Sequence, residues 1–187
     1  MRDHNGGGKL AASLCAAEGS LRIARRWDVH VLVQTARLCD LAAVNDLHMR
    51  CSREARRARY HGPRDGLRPV EWRRLTDPEQ GSTVLLRANN DRGRVIGFAS
   101  LMHLPDSEAE IALLIEDRWQ NLGIGTAVVN HLASTASSLS IQALAAWIEP
   151  GNARALRIMH GLGAKIDLTD GVAEARILLR SPVDSSV

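Results

Sequence analysis

The stretch EAEIALLIEDRWQNLGIGTAVV, residues 108–129, decides the fold. Glu108 to Ile115 is an apolar run of strand length, and a helical repeat begins after Gly125. Between them lie Gln120, Asn121, Leu122, Gly123, Ile124, Gly125 and Thr126. Two glycines one residue apart let the chain turn tightly and present several N–H groups outward. The helix that follows adds unpaired N-terminal donors and the positive end of its dipole. Such a junction suits a pyrophosphate, and Thr126 adds a hydroxyl. It lacks the Lys-Ser/Thr pair of a P-loop and the third glycine of the dinucleotide fingerprint, which disfavours nucleoside triphosphates and NAD. Standing alone, a Gly-x-Gly turn is more often just a tight strand-to-helix connection.

Upstream, VHVLVQ from Val29 reads as a strand, and Arg37 to Arg50 as a helix with Leu38, Leu41, Ala42, Val44 and Leu47 at helical spacing. Ser52 is a plausible N-cap for a helix reaching Tyr60, and Pro69 suits the first turn of a third helix ending at Leu75. Strands are expected at Ser82–Arg87, Arg94–His103 and Glu108–Ile115. The turns Asn89–Gly93 and Leu104–Ser107 make them an antiparallel meander. Downstream, Val128, Val129, Leu132, Ala136 and Leu139 mark one helix face, Ile141–Ile148 a strand, Asn152–Leu162 a helix and Ala173–Leu179 a closing strand. The order predicts an α/β (α+β) chain with a mixed, mostly antiparallel central sheet flanked by helices and one crossover helix.

With 187 residues, 45% hydrophobic and 24% charged, the chain matches ordinary globular usage and is sized for one domain. That domain is expected over 21–180, between flexible tails at 1–20 and 181–187. No apolar run reaches the length of a membrane span and no export signal opens the chain, which points to the cytoplasm and away from a membrane partner. Cys15, Cys39 and Cys51 read as reduced thiols, and the scattered histidines lack metal-ligand spacing, so no metal is expected. The net charge of +3 argues against dedicated nucleic-acid binding. It is unevenly spread: nine arginines against three carboxylates lie between Arg50 and Arg74.

The junction at Gln120–Thr126, followed by WIEPGNARALRIMHGLGA with Asn152, Ala155, Leu162 and Gly163, resembles the GNAT superfamily of acetyl-CoA-dependent N-acetyltransferases over residues 29 to 180. The stretch HMRCSREARRARYHG, with Ser52, Glu54 and Arg59 in a Ser-x-Glu-x-x-x-x-Arg pattern, is more loosely similar to the bacterial protein-lysine acetyltransferase branch. The resemblance implies acetyl-CoA as cosubstrate and a primary amine as acceptor, a small molecule or a protein lysine, in a monomer or homodimer. It implies that backbone of Leu113, Leu114 and Ile115 holds the pantetheine arm and that Leu122 to Thr126 hold the pyrophosphate, with Gln120 and Asn121 at the loop's mouth. Asn152 would meet the pantetheine near the thiol, although it reads equally as a helix N-cap.

A lysine amine has a pKa of about 10.4, so attack on a thioester requires a base to take its proton. The resemblance points to Glu110, with Glu108 and Glu116 as substitutes; the same residue reads as a solvated carboxylate on an alternating strand. The thiolate-protonating tyrosine common in the family corresponds here to Met159, leaving His160 or water, and Ala164 stands where an aromatic is common. The missing tyrosine motivates the alternative of a non-catalytic acyl-CoA sensor. Trp119 is expected to pack under the loop and Trp147 in the core, with a place lining the acceptor channel as the second reading of Trp147. Arg53, Arg56 and Arg57 share a helix face, read as a solvated surface or as a seat for an acidic protein or anionic amine.

Overall fold

A computed structural model of the chain describes residues 19–24, 28–89 and 93–179, with side chains from His30 onward. Residues 1–18 of the expected N-terminal tail, the whole expected tail 181–187, and residues 90–92 of the expected Asn89–Gly93 turn lie outside the described residues. The strands are β1 (Gly19–Ala24), β2 (Asp28–Thr35), β3 (Gly81–Ala88), β4 (Val95–Leu104), β5 (Glu108–Ile115), β6 (Ala143–Ile148), β7 (Lys165–Thr169) and β8 (Val172–Leu178). The helices are α1 (Leu41–Arg50), α2 (Arg53–Tyr60), α3 (Pro69–Leu75), α4 (Ile124–Ser138) and α5 (Ala153–Gly161).

The described strands form one eight-stranded sheet in the order β1-β2-β3-β4-β5-β6-β8-β7. Every pairing is antiparallel except β5 with β6, whose parallel run needs the crossover supplied by α4. Two strands were not expected. β1 begins at Gly19, inside the stretch read as tail, and pairs with β2. β7 is a short edge strand with four of its five residues exposed, so its sequence, KIDLT, carries no core-facing alternation.

Two apolar layers cover the sheet. Helix α4 buries Ile124, Val128, Val129, Leu132 and Ala136, a stripe at helical spacing, against Val84, Leu86, Ala99, Ile111 and Leu144. On the other face α1, α2 and α3 cover a smaller cluster of Val44, Leu47, Ala55, Trp72, Phe98 and Leu114. A register shift opposite Leu86 and Arg87 lets both Val95 and Phe98 join this second cluster. The Oγ of Ser52 accepts the Ala55 N–H as N-cap of α2 and donates to Asp117 Oδ1 at 2.7 Å, fastening α2 to the turn after β5.

These layers predict a contrast between two leucines. Leu132→Ala, at a site 1% exposed, should cost about 2–5 kcal/mol, and Leu168→Ala, at 69% exposed, should stay within about 0.5 kcal/mol, read from urea unfolding midpoints.

Candidate active site

β5 and β6 pair only from Glu108–Ala143 to Glu110–Ala145, and then diverge. Ile111 to Ile115 and Ala146 to Ile148 continue as strands with no pairing to each other, which opens a slot in the sheet. The Glu116 N–H donates to Ile96 O, which fixes the parity of the β4–β5 ladder. Residues 112 and 114 therefore turn their backbone groups to β4, and residues 113 and 115 turn theirs to the slot. The Ile115 carbonyl accepts from Gln120 Nε2 at 2.7 Å; the Ile115 N–H and both backbone groups of Leu113 face the slot without a partner among the described residues. Leu114 also lines the cleft, but its backbone is directed to Phe98.

The loop closes one end of the slot. Gly123 is the N-cap of α4 at φ 87°, in the region that favours glycine, and Asn121 is also left-handed at φ 59°. A Cβ on Gly125 would stand 2.9 Å from Ile158 Cδ1, so any larger residue there would have to displace that methyl where the first turn of α4 meets α5. Leu122 and Ile124 turn their side chains into the core and anchor the loop. The Ala127 N–H reaches Gly123 O, but the N–H groups of residues 121 to 126 have no acceptor within the described protein. The Oε1 of Gln120 is also buried and unpartnered. Donors left open toward a cleft, and a buried acceptor without a partner, call for a ligand or water.

Slot and loop belong to one cleft of about 830 Å³ that passes from the α4–α5 side of the sheet to the α2 side. Gln120, Asn121, Gly123, Gly125 and Thr126 line it at one end, Leu113 and Ile115 along its length, and Glu110, Arg59, Tyr60 and His61 at the other. Glu110 shares its β5 face with Ala112 and Leu114, so the parity left open in the sequence directs it toward α2 and into the cleft. Asn152 caps α5, its Oδ1 accepting from the Ala155 N–H at 3.1 Å, and also lines the cleft. Met159 lines it too and is buried. Glu108 instead pairs with Arg176, and Glu116 is enclosed by Arg50, Arg94 and Arg118.

Two expectations fail here. Trp147 is not core: 40% exposed, it lines the cleft because its strand has lost its neighbour. The arginines of α2 are not a uniformly solvated face. Arg56 is half-buried against His48 O and Asp65, and Arg57 reaches Glu149 at 3.2 Å. His61, left-handed at the end of α2, donates from Nε2 to Trp147 O at 3.1 Å, so α2 spans the diverging strands. Sequence reasoning missed Arg59 and Tyr60 as cleft residues. The Tyr60 hydroxyl lies 2.6 Å from Nε2 of the fully buried His48, whose Nδ1 lies 2.7 Å from Val44 O. A carbonyl only accepts, so Nδ1 carries the proton and Nε2 receives the tyrosine O–H. Burial pushes the Tyr60 hydroxyl up to about 12, and burial with the nearby Arg59, Arg56 and Arg64 holds His48 below its ordinary 6.5. Trp119 is buried beneath the loop as expected.

A model of the acetyltransferase (GNAT) family matches residues 41–164, two thirds of the chain, and the chain belongs to that family. It is an acetyl-CoA-dependent N-acetyltransferase. No curated protein matches it. Among solved structures it is similar to the GNAT domain of PAT from S. lividans, at 22% identity over 88% of this chain and 98% of that one, with a TM-score of 0.77. It is also similar to an acetyltransferase from Salmonella typhimurium solved with acetyl-CoA (17% identity, 81% and 95% covered, TM-score 0.62). A spermidine N-acetyltransferase from Vibrio cholerae, in complex with CoA and spermine, matches at 14% identity, 79% and 95% covered, with a TM-score of 0.63. At these identities the likenesses establish the fold. No described helix is long and apolar enough to cross a membrane.

The His48–Tyr60 pair sets a pH dependence. The folded pKa of His48 lies below the unfolded value, so its contribution to stability is full above about pH 6.5 and is lost as pH falls below it. Thermal unfolding followed between pH 7.5 and 5 should show this loss, and His48→Gln should flatten that part of the slope.

Proposed function

We propose that this acetyltransferase moves the acetyl group directly to a primary amine, a lysine side chain being the leading acceptor, with Glu110 as the general base. The observation that carries this reading is the placement of Glu110 in the same cleft as the unpartnered N–H groups of the Gln120–Thr126 loop, at its opposite end. In this reading the loop amides and the α4 N-terminus hold the diphosphate of acetyl-CoA, a role suited to unpaired donors at a positive dipole end. The slot edge at Leu113 and Ile115 receives the amide-bearing pantetheine arm as a further strand would be received. Gln120 Oε1 is an available acceptor beside it. Bound acetyl-CoA supplies an acyl group activated as a thioester.

Glu110 is available for the proton step. It makes no hydrogen bond or ion pair within the described protein, unlike Glu108 and Glu116, whose carboxylates are held by arginines. A free carboxylate lining the cleft can take the ammonium proton and leave the nitrogen lone pair free to attack. Met159 has no proton to give to the departing sulfur, so that proton comes from solvent or from the acceptor's own, through Glu110. Support for lysine comes from the similarity of Ser52, Glu54 and Arg59 to the protein-lysine acetyltransferase pattern. The cytoplasm is the compartment this reading assigns.

Glu110→Gln should lower kcat by roughly 10²–10⁴-fold with acetyl-CoA affinity little changed, as read by release of free thiol alongside calorimetry. Full activity in that variant removes Glu110 from the mechanism. Gly123→Ala places a side chain at positive φ and should weaken acetyl-CoA binding by about tenfold or more. Binding without turnover of any amine would favour the sensor alternative.

A further inference from the structure

Arg59 differs from its neighbours. Arg50, Arg56, Arg57, Arg64 and Arg68 each reach a carboxylate within 4 Å. Arg59 reaches none among the described residues, and unlike Arg53, Arg73 and Arg74, which are exposed and also reach none, it is half-buried. Its Nε is sealed from solvent with no acceptor. Of the five N–H donors of its guanidinium, the hydrogen bond made is from Nη2 to Ser100 Oγ, at 3.3 Å, long for such a contact. The group otherwise lies over the rings of Tyr60 and Phe98, 5.0 and 5.7 Å from their centroids. A half-buried cation with one N–H sealed from solvent and unpaired is costly to hold unless something completes it. Burial works against its charge, and Glu110 works for it.

Its position says what completes it. Arg59 lines the same cleft as Glu110, at the same end. Ser100 pairs with Ala112, and Glu110 stands two residues along β5 on the same face. Two strand residues span about 7 Å, so a molecule with its amine at Glu110 can carry an anionic group to the idle donors of Arg59. A guanidinium fork matches a carboxylate in two parallel hydrogen bonds. An acceptor with a second ammonium at that distance meets a cation instead.

We propose that Arg59 binds a carboxylate of the acceptor, so that the enzyme selects amines carrying a carboxylate roughly 7 Å from the reacting nitrogen. The carboxylate belongs either to a free amino acid or to an acidic residue beside a lysine in a polypeptide. This rests on the reading of Glu110 as the base and of this end of the cleft as the acceptor side.

The test compares matched acceptors in the full chain with saturating acetyl-CoA. One pair is Nα-acetyl-lysine and its methylamide; the other is a hexapeptide with Glu or with Gln beside its lysine. The expected result is a preference of tenfold or more in kcat/KM for the carboxylate member of at least one pair, falling to about one in Arg59→Met and partly kept in Arg59→Lys. Preference in the first pair assigns the carboxylate to a small molecule, and in the second to a polypeptide. A wild-type ratio near one in both pairs, or a ratio that Arg59→Met leaves unchanged, overturns the proposal. Thermal unfolding with 6-hydroxyhexanoate and with hexane-1,6-diol reads Arg59 without turnover. A saturable rise in Tm with the carboxylate alone, weakened in Arg59→Lys, supports the proposal, and no rise overturns it. That rise together with no acetylation of any amine would overturn the role of Glu110 instead.

Discussion

The parting of β5 from β6 after Glu110 and Ala145 is the constraint on which the site depends. A parallel pair that ran on to Ile115 and Ile148 would satisfy every backbone group and leave no cleft. Because it stops, two largely buried strands keep polar edges open in the middle of a sheet, where unmet hydrogen bonds are expensive. The fold tolerates this because the outer edge of each strand stays paired, β5 with β4 and β6 with β8. The helix α2 bridges the opening through His61 to Trp147 and Arg57 to Glu149, and the α4 loop closes the far end.

Charge is distributed along that opening in a simple way. At the α4 end the field is positive through backbone donors, suited to phosphate oxygens. At the α2 end two opposite charges, Glu110 and Arg59, face one space without forming an ion pair. Most of the arginine-rich segment is structural: Arg56 binds His48 O, Arg64 and Arg68 hold Glu71, and Arg50 helps enclose Glu116. Arg68 and Arg64 hydrogen bonds keep Glu71 at about 2, well below the usual carboxylate range.

The parts of this arrangement that local chemistry dictates were legible in the sequence. Glycines at 123 and 125, an apolar strand before them and an apolar helical stripe after them specify the turn and the direction of its donors. The meander followed from its turn residues, and Asn152 as a cap from its place before a helical run. What depended on pairing was hidden. Trp147 reads as core on an apolar strand because nothing in ALAAWI says that its neighbour turns away. The face chosen by Glu110 required the ladder parity fixed at Glu116 and Ile96, and Arg59 is one arginine among nine until its partners are counted in space. The edge strand β7, mostly exposed, had no pattern to find.

As proposed above, the open backbone of the slot and loop is the seat of the cosubstrate. Amide resonances in a ¹⁵N-labelled sample titrated with coenzyme A test it most directly. The N–H signals of Leu113, Ile115 and residues 121 to 126 should shift together and saturate at a single affinity, while that of Leu114, turned to β4, moves least. Saturable binding that leaves those amides unmoved would contradict it.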